Sequence, residues 1–321
     1  MKNPVVGKSE RRRIDRSVER LLRDLKGVEP PLKMDDVIRQ MQLDLQYYQG
    51  SDPSNVREVV HSIKVAGKNL LSSRTILGRV IKKLGLKGLL FWDDNRILID
   101  SEQHRAKFKW SKAHECGHKL CEWHQDYLLG DSSTELSLSC HKTIEAEANY
   151  AAGQIAFMKD RFVEELMDSS ISLASLRSLA TTFGNSQTST LWRMVEEYRG
   201  QKSIVGIVSE HPKHPSDEFD ALDPCRYVIQ SPEFRHRFGT VSEISLFAEL
   251  NDYCGYQRGG PIGNAEVELI DDNGEPHEFH FESFCYKIKS PEGGHVLQVL
   301  TLGVEVAELS VTTSVGSRIL H

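Results

Sequence analysis

The stretch Trp110-Ser111-Lys112-Ala113-His114-Glu115-Cys116-Gly117-His118-Lys119-Leu120 carries the pattern H-E-x-x-H, and the first half of the chain is best read outward from it. At about 3.6 residues per turn, His114 and His118 stand at i and i+4 on one helical face, so their imidazoles can converge on a single cation. Glu115 lies beside that face, where a carboxylate can take a proton from an activated water and later hand it to a leaving amine. Such a set is the chemistry of a zinc hydrolase. The same pentapeptide also occurs on helices whose histidines are merely solvated, and a third ligand tells the two apart.

A catalytic zinc usually takes three protein side chains and leaves a fourth position for water or substrate. Two residues compete for the third place. His124, six residues past His118, gives the metzincin spacing H-E-x-x-H-x-x-x-x-x-H. Metzincins need Gly three residues after the second His so that the chain can turn, and Cys121 stands there instead. The other candidate is Glu145, in the run Thr143-Ile144-Glu145-Ala146-Glu147-Ala148-Asn149-Tyr150-Ala151-Ala152, which favours a helix by composition. Glu145 and Asn149 fall one turn apart on a common face, and Ala152 and Ala156 continue it with side chains small enough for close approach to the motif helix. Glu145 would then bind the metal, Asn149 would orient a ligand side chain by a hydrogen bond, and Glu147 would point to the other side. The competing reading of both glutamates is an ordinary solvated helix face.

These residues give the chain its resemblance to the ImmA/IrrE family of zinc metallopeptidases. That family's pattern is H-E-x-G-H followed, a few tens of residues later, by E-x-x-x-N in a helix. His114 to His118 and Glu145 to Asn149 match it at every defining position. Upstream, Ile97-Leu98-Ile99-Asp100 resembles the family's apolar strand, and Phe108-Lys109-Trp110-Ser111-Lys112-Ala113 its basic-aromatic run into the motif. Downstream, Leu173 to Ala180 with Phe183-Gly184-Asn185-Ser186 resembles the helix and turn that follow the peptidase core. The likeness covers roughly the first 200 of 321 residues. Two departures concern packing: Ala151 stands where the family often has Phe, and Ile155-Ala156-Phe157-Met158 where it often has Leu-Leu-Met-Pro.

The resemblance implies an intracellular metalloendopeptidase that cleaves a partner helix-turn-helix repressor and so switches on genes. Its settings would be DNA-damage responses, mobile-element immunity and control of antiviral islands. It implies Zn2+ on His114, His118 and Glu145, with Glu115 as general base. It also implies an α+β fold: a mainly helical zincin-like core with a small sheet, a helix-turn-helix-like segment, and a C-terminal β-rich domain similar to the GAF-like sensors of longer relatives.

Hydrophobic and charged contents of 39% and 27% are those of a globular protein. There is no run of 18 or more apolar residues and no apolar signal core near Met1, which predicts a cytoplasmic protein without a membrane partner. Six scattered cysteines fit free thiols in a reducing compartment. A net charge of −6 argues against a surface built wholly for nucleic acid. Lys8, Arg11, Arg12, Arg13, Arg16, Arg20 and Arg23 crowd one amphipathic stretch, which reads as a solvated helix face or a local basic patch.

Residues 10–26 and Met34 to Met41 read as helices separated by Pro30-Pro31, Leu43 to Tyr48 as a strand, and Arg74 to Leu84 as a helix. Gly88 to Asp100 reads as a hairpin turning at Asp93-Asp94-Asn95, and a polar loop around Gly130 to Ser133 precedes the Glu145 helix. An exposed sheet edge beside the motif helix would let an extended substrate add as a strand. His211-Pro212-Lys213-His214-Pro215 interrupts regular structure and marks a linker, its histidines belonging to the connection and not to a metal site. Beyond it, Ala265 to Ile270 and His277 to Ile288 alternate around the turn signal Asp272-Asn273-Gly274. The expected division is 1–160 metallopeptidase, 161–200 helical segment, 201–222 linker and 223–321 β-rich sensor.

A sensor there would take a small molecule or single-stranded DNA, with Tyr256 or Tyr286 available to stack on bases; alternating aromatics in strands otherwise build core. Latency has its own candidate. Cys140, placed at the end of the loop before the Glu145 helix, could swing an inhibitory thiolate onto the zinc, or be a plain buried cysteine. Besides the endopeptidase, two other classes fit the sequence: a non-proteolytic regulator with a structural or vestigial zinc site acting by partner or DNA binding, and a metzincin-like site using His124.

Overall fold

The computed structural model describes residues 6–25, 27–48, 88–92, 95–103, 105–125, 138–289 and 294–306. The helix expected over Arg74 to Leu84, the loop around Gly130 to Ser133 and the turn residues Asp93 and Asp94 lie outside the described residues. The fold is α+β and divides into two compact units, Met1–Ser169 with Leu176–Thr190, and Ser170–Ser175 with Leu191–His321.

The first unit begins with helices α1 (Lys8–Asp24) and α2 (Met34–Gln40), followed by strands β1 (Asp44–Tyr48), β2 (Gly88–Phe91) and β3 (Arg96–Asp100). β3 lies in the middle, parallel to β1 and antiparallel to β2, with Ile97 and Ile99 fully buried. Next come α3 (Arg105–Leu120), α4 (Leu138–Ala156), α5 (Asp160–Met167), α6 (Leu173–Phe183) and α7 (Gln187–Glu197), and the division between the units falls within α6 and α7. Ser186 accepts a hydrogen bond from the Ser189 N–H at 3.1 Å and so caps the start of α7.

Helical periodicity accounts for what α1 buries. Ile14, Val18 and Leu21 recur on one face and go inward, while the basic residues between them stay outside. Two arginines nearer the start of the helix hold α1 in place, Arg11 over the Tyr150 ring at 5.0 Å and Arg13 over the Trp123 ring at 4.0 Å. Phe157, Phe162 and Phe183 form a buried aromatic cluster with edge-on contacts at 4.9 and 5.2 Å, tying the end of α4 to α5 and α6.

In the second unit a sheet of β4 (Ile204–Glu210), β5 (Cys225–Gln230), β6 (Gly260–Ile270), β7 (Pro276–Lys289) and β8 (His295–Glu305) has the order β5-β4-β8-β7-β6 with every pair antiparallel. Helices α8 (Pro232–Arg237) and α9 (Glu243–Tyr253) lie between β5 and β6 in sequence. On one face Val205, Ile207, Phe279 and Phe281 pack with Phe234 of α8, Phe238 just past its end and Leu246 of α9. On the other, Leu191 and Val195 of α7 come so close to Gly206 that a Cβ there would lie 3.1–3.2 Å from their side chains. The β6–β7 turn is held by Asp271, which accepts from the N–H groups of Asn273 and Glu275, each at 2.9 Å.

This corrects the reading of 201–222 as a linker. Its first half is β4, a strand covered on both faces, and the histidines after it are tied down. His211 is fully buried with Nε2 3.0 Å from the Gln257 carbonyl, and His214 Nε2 lies 2.9 Å from that of Tyr256. Among the described residues, no helix is long and apolar enough to cross a membrane.

Candidate metal centre

Several residues of the basic-aromatic run ahead of the motif fix α3 in place. Phe108 meets the Tyr47 ring edge-on at 6.0 Å, and the Lys109 ammonium donates to the Phe183 carbonyl at the end of α6. Ser111 donates to Gln103 at 2.8 Å, while Lys112 binds Asp35 of α2 at 2.6 Å and lies over the Tyr47 ring at 5.5 Å. Ala113 is fully buried. Against a helix so constrained, α4 packs at Gly117, where an added Cβ would lie 2.5 Å from the Ala148 carbonyl and 3.2 Å from the Ala151 Cβ. Glycine and alanines are what permit this approach, and it brings the Glu145 turn of α4 beside both motif histidines.

His114, His118 and Glu145 converge there. His114 Nε2 and His118 Nε2 are 3.1 Å apart, and the Glu145 carboxylate oxygens lie 3.3 Å from the first and 3.6 Å from the second. Ligand atoms bonded tetrahedrally at about 2.0–2.2 Å stand about 3.3–3.6 Å apart, so the donor set and its spacing fit a zinc-sized cation. The other ring nitrogens have partners of their own. His114 Nδ1 lies 3.0 Å from Asn149 Oδ1, an acceptor that places the His114 proton on Nδ1 and leaves Nε2 as the lone-pair nitrogen.

The electrostatics follow from burial and from these contacts. Burial pushes the Glu115 carboxyl up to about 7, with the Glu145 charge adding to the effect and His114 opposing it. Burial also works to raise Glu145, but its bonds to His114 and His118 prevail and hold it well below the usual carboxylate range. Burial lowers His118, while for His114 the contacts with Glu145, Glu115 and Asn149 outweigh burial and raise it.

His124 is placed elsewhere. Its Nδ1 lies 3.0 Å from His118 Nδ1, the ring nitrogen on the far side from His114 and Glu145, and its Nε2 lies 2.9 Å from Glu147 Oε2. That oxygen also accepts from Trp123 Nε1 at 2.6 Å. Glu147 is 5% exposed, so the reading of it as a solvated face is corrected. It does point away from Glu145, but toward residues 121–125, which fold back behind α3. Cys121, His124 and Glu147 form a second, wholly buried group whose ligand atoms lie within 4.8 Å of one another. The one hint in the sequence was the pair of candidate third ligands, His124 and Glu145, each with its own place here.

Cys140 lies in the first turn of α4, where a loop end was expected; its side chain, and with it the proposed reach toward the metal, lies outside the described residues. Tyr256 is 70% exposed, whereas Tyr286 packs on Phe284 with ring centroids 4.6 Å apart.

No protein-family model and no curated protein matches the chain. Among solved structures, it is similar to a Mycobacterium tuberculosis transcriptional regulator at 12% identity and a TM-score of 0.48, over 91% of this chain and 76% of that one.

Proposed function

We propose that the chain is a zinc-dependent endopeptidase of the ImmA/IrrE type that cleaves a partner helix-turn-helix repressor and thereby derepresses genes. The observation that carries this reading is the meeting of His114 Nε2, His118 Nε2 and the Glu145 carboxylate at 3.1–3.6 Å, with a buried Glu115 next in sequence to the first ligand. When bound there, zinc supplies Lewis-acid polarisation of a scissile carbonyl and makes water acidic enough to ionise near neutral pH. Glu115, with its carboxyl raised toward neutrality, accepts that proton and returns it to the leaving nitrogen. Asn149 keeps the His114 ring turned to the ligand position. Among the described residues β2 is an outer strand of its sheet and packs against α3, which supports entry of the substrate as an added strand.

In this proposal the second unit is a GAF-like sensor for a stress or DNA-damage signal, a small molecule or single-stranded DNA, and the protein works in the cytoplasm. Among the described residues, both potential metal-binding groups belong to the first unit, which favours a binding role for the second. Substitution separates the proposal from its rivals. Glu115→Gln retains the metal and stops cleavage, Glu145→Ala loses the metal, and retained cleavage by Glu115→Gln refutes the mechanism. A non-proteolytic regulator would keep its full effect on the target genes in Glu115→Gln cells. A metzincin-like site would lose zinc outright in His124→Ala and keep it in Glu145→Ala.

A further inference from the structure

We propose that His124 and Glu147, backed by Trp123, form a hydrogen-bonded chain that holds His118 in the one tautomer and orientation able to bind the metal. They are positioning residues, and the inference rests on the metallopeptidase reading above. His118 turns Nε2 toward His114 and Glu145, at 3.1 and 3.6 Å. For Nε2 to offer a lone pair, the ring proton must sit on Nδ1. Nδ1 faces His124 Nδ1 at 3.0 Å, so His124 must accept there and carry its own proton on Nε2. That Nε2 donates to Glu147 Oε2 at 2.9 Å, and Trp123 Nε1 donates to the same oxygen at 2.6 Å.

With both imidazoles neutral, the direction of this chain is not free. Were His124 to donate from Nδ1 as a neutral ring, its Nε2 lone pair would face the Glu147 carboxylate, two acceptors at hydrogen-bond distance. His118 would then carry its proton on Nε2, where the cation belongs. The negative end at Glu147 excludes that arrangement. Burial strengthens the effect, since His124 is fully buried and Glu147 is 5% exposed, leaving little water to compete for either group. The Arg13 guanidinium, 4.0 Å above the Trp123 ring, steadies the far end from α1. The two ligand histidines are thus held unequally, His114 by the neutral Asn149 and His118 through a buried relay ending in a charge.

A second cation on Cys121, His124 and Glu147 is the competing use of the same residues. His124 and Glu147 are already bonded to each other, and the same Glu147 oxygen accepts from Trp123, which favours the relay. The test uses the full-length chain, with zinc affinity measured by chelator competition and the site's geometry by the absorption bands of its cobalt(II) form. Wild type is expected to bind one zinc. Glu147→Gln, nearly unchanged in size, should lose about 10- to 100-fold in affinity and shift the cobalt bands, because the orienting partner of a ligand histidine has been weakened. In a His118→Ala background the same change should have no further effect on residual cobalt binding, as a purely structural role would not predict. If Glu147→Gln does not fold, Trp123→Phe replaces it, with a smaller loss expected. Unchanged zinc affinity and cobalt bands in a folded variant overturn the relay. So do two zinc ions per wild-type chain with one lost in Glu147→Gln, which would assign the second metal site. Absence of metal from wild type instead removes the metallopeptidase reading on which the relay stands.

Discussion

Burial raises the Glu115 carboxyl to about 7 from an ordinary 4.5, because α3 holds it where water cannot solvate the charge. Between those two values the folded metal-free protein binds more protons than the unfolded chain, so stability falls as pH rises through that window. Below the window both states are protonated and the penalty vanishes; above it the penalty is complete. In chelator, Glu115→Gln is therefore expected to be more stable than wild type by on the order of a few kcal/mol at pH 8, with a smaller gap at pH 5. Thermal melts of both proteins at the two pH values measure this, and a gap independent of pH contradicts it. The motif residues were legible from spacing alone, because i and i+4 on a helix share a face whatever surrounds it. Glu147 was not. Two residues on from Glu145 it turns to the opposite side of α4, and whether that side meets water or protein depends on where residues 121–125 return, which no local pattern encodes.

At the scale of elements, the site depends on how closely α3 and α4 approach. Gly117→Ala would put a Cβ 2.5 Å from the Ala148 carbonyl, and backbone on one side with Ala151 on the other leaves no flexible group to give way. The helices must then move apart, at a cost of about 1–3 kcal/mol, and Glu145 moves away from both histidines. The expected result is a lower melting temperature together with weaker zinc binding; a variant that melts lower with full zinc affinity shows that the helix spacing does not set the ligand geometry. The small side chains along α4 made this approach readable in advance. The missed strand β4 has a different cause. Ile204-Val205-Gly206-Ile207-Val208 is an unbroken apolar run, as expected for a strand covered on both faces, and the Pro and His residues after it drew the boundary too early. β5, α8 and α9 lack clean periodicity in the sequence, although Ser231 and Ser242, whose hydroxyls accept from Phe234 and Ser245, are cap residues that mark the two helix starts.

At the scale of the whole molecule, each unit has its own core, and His114, His118 and Glu145 all belong to the first. Zinc bound only to the folded state stabilises by mass action, which comes to about 4 kcal/mol when free metal exceeds its dissociation constant a thousandfold. Calorimetry of the full chain should therefore show the first unit's transition falling when chelator is added while the second unit's stays in place. Equal movement of both transitions would mean that the two cores do not unfold separately. The central claim is hydrolysis of a partner's peptide bond, and intact-mass measurement tests it most directly. The helix-turn-helix protein encoded nearest this gene is incubated with zinc-loaded wild type or Glu115→Gln, with and without single-stranded DNA. The account predicts two new fragments, from wild type only, whose masses together equal the intact partner plus one water. An intact partner under every condition, or the same fragments from Glu115→Gln, would contradict it.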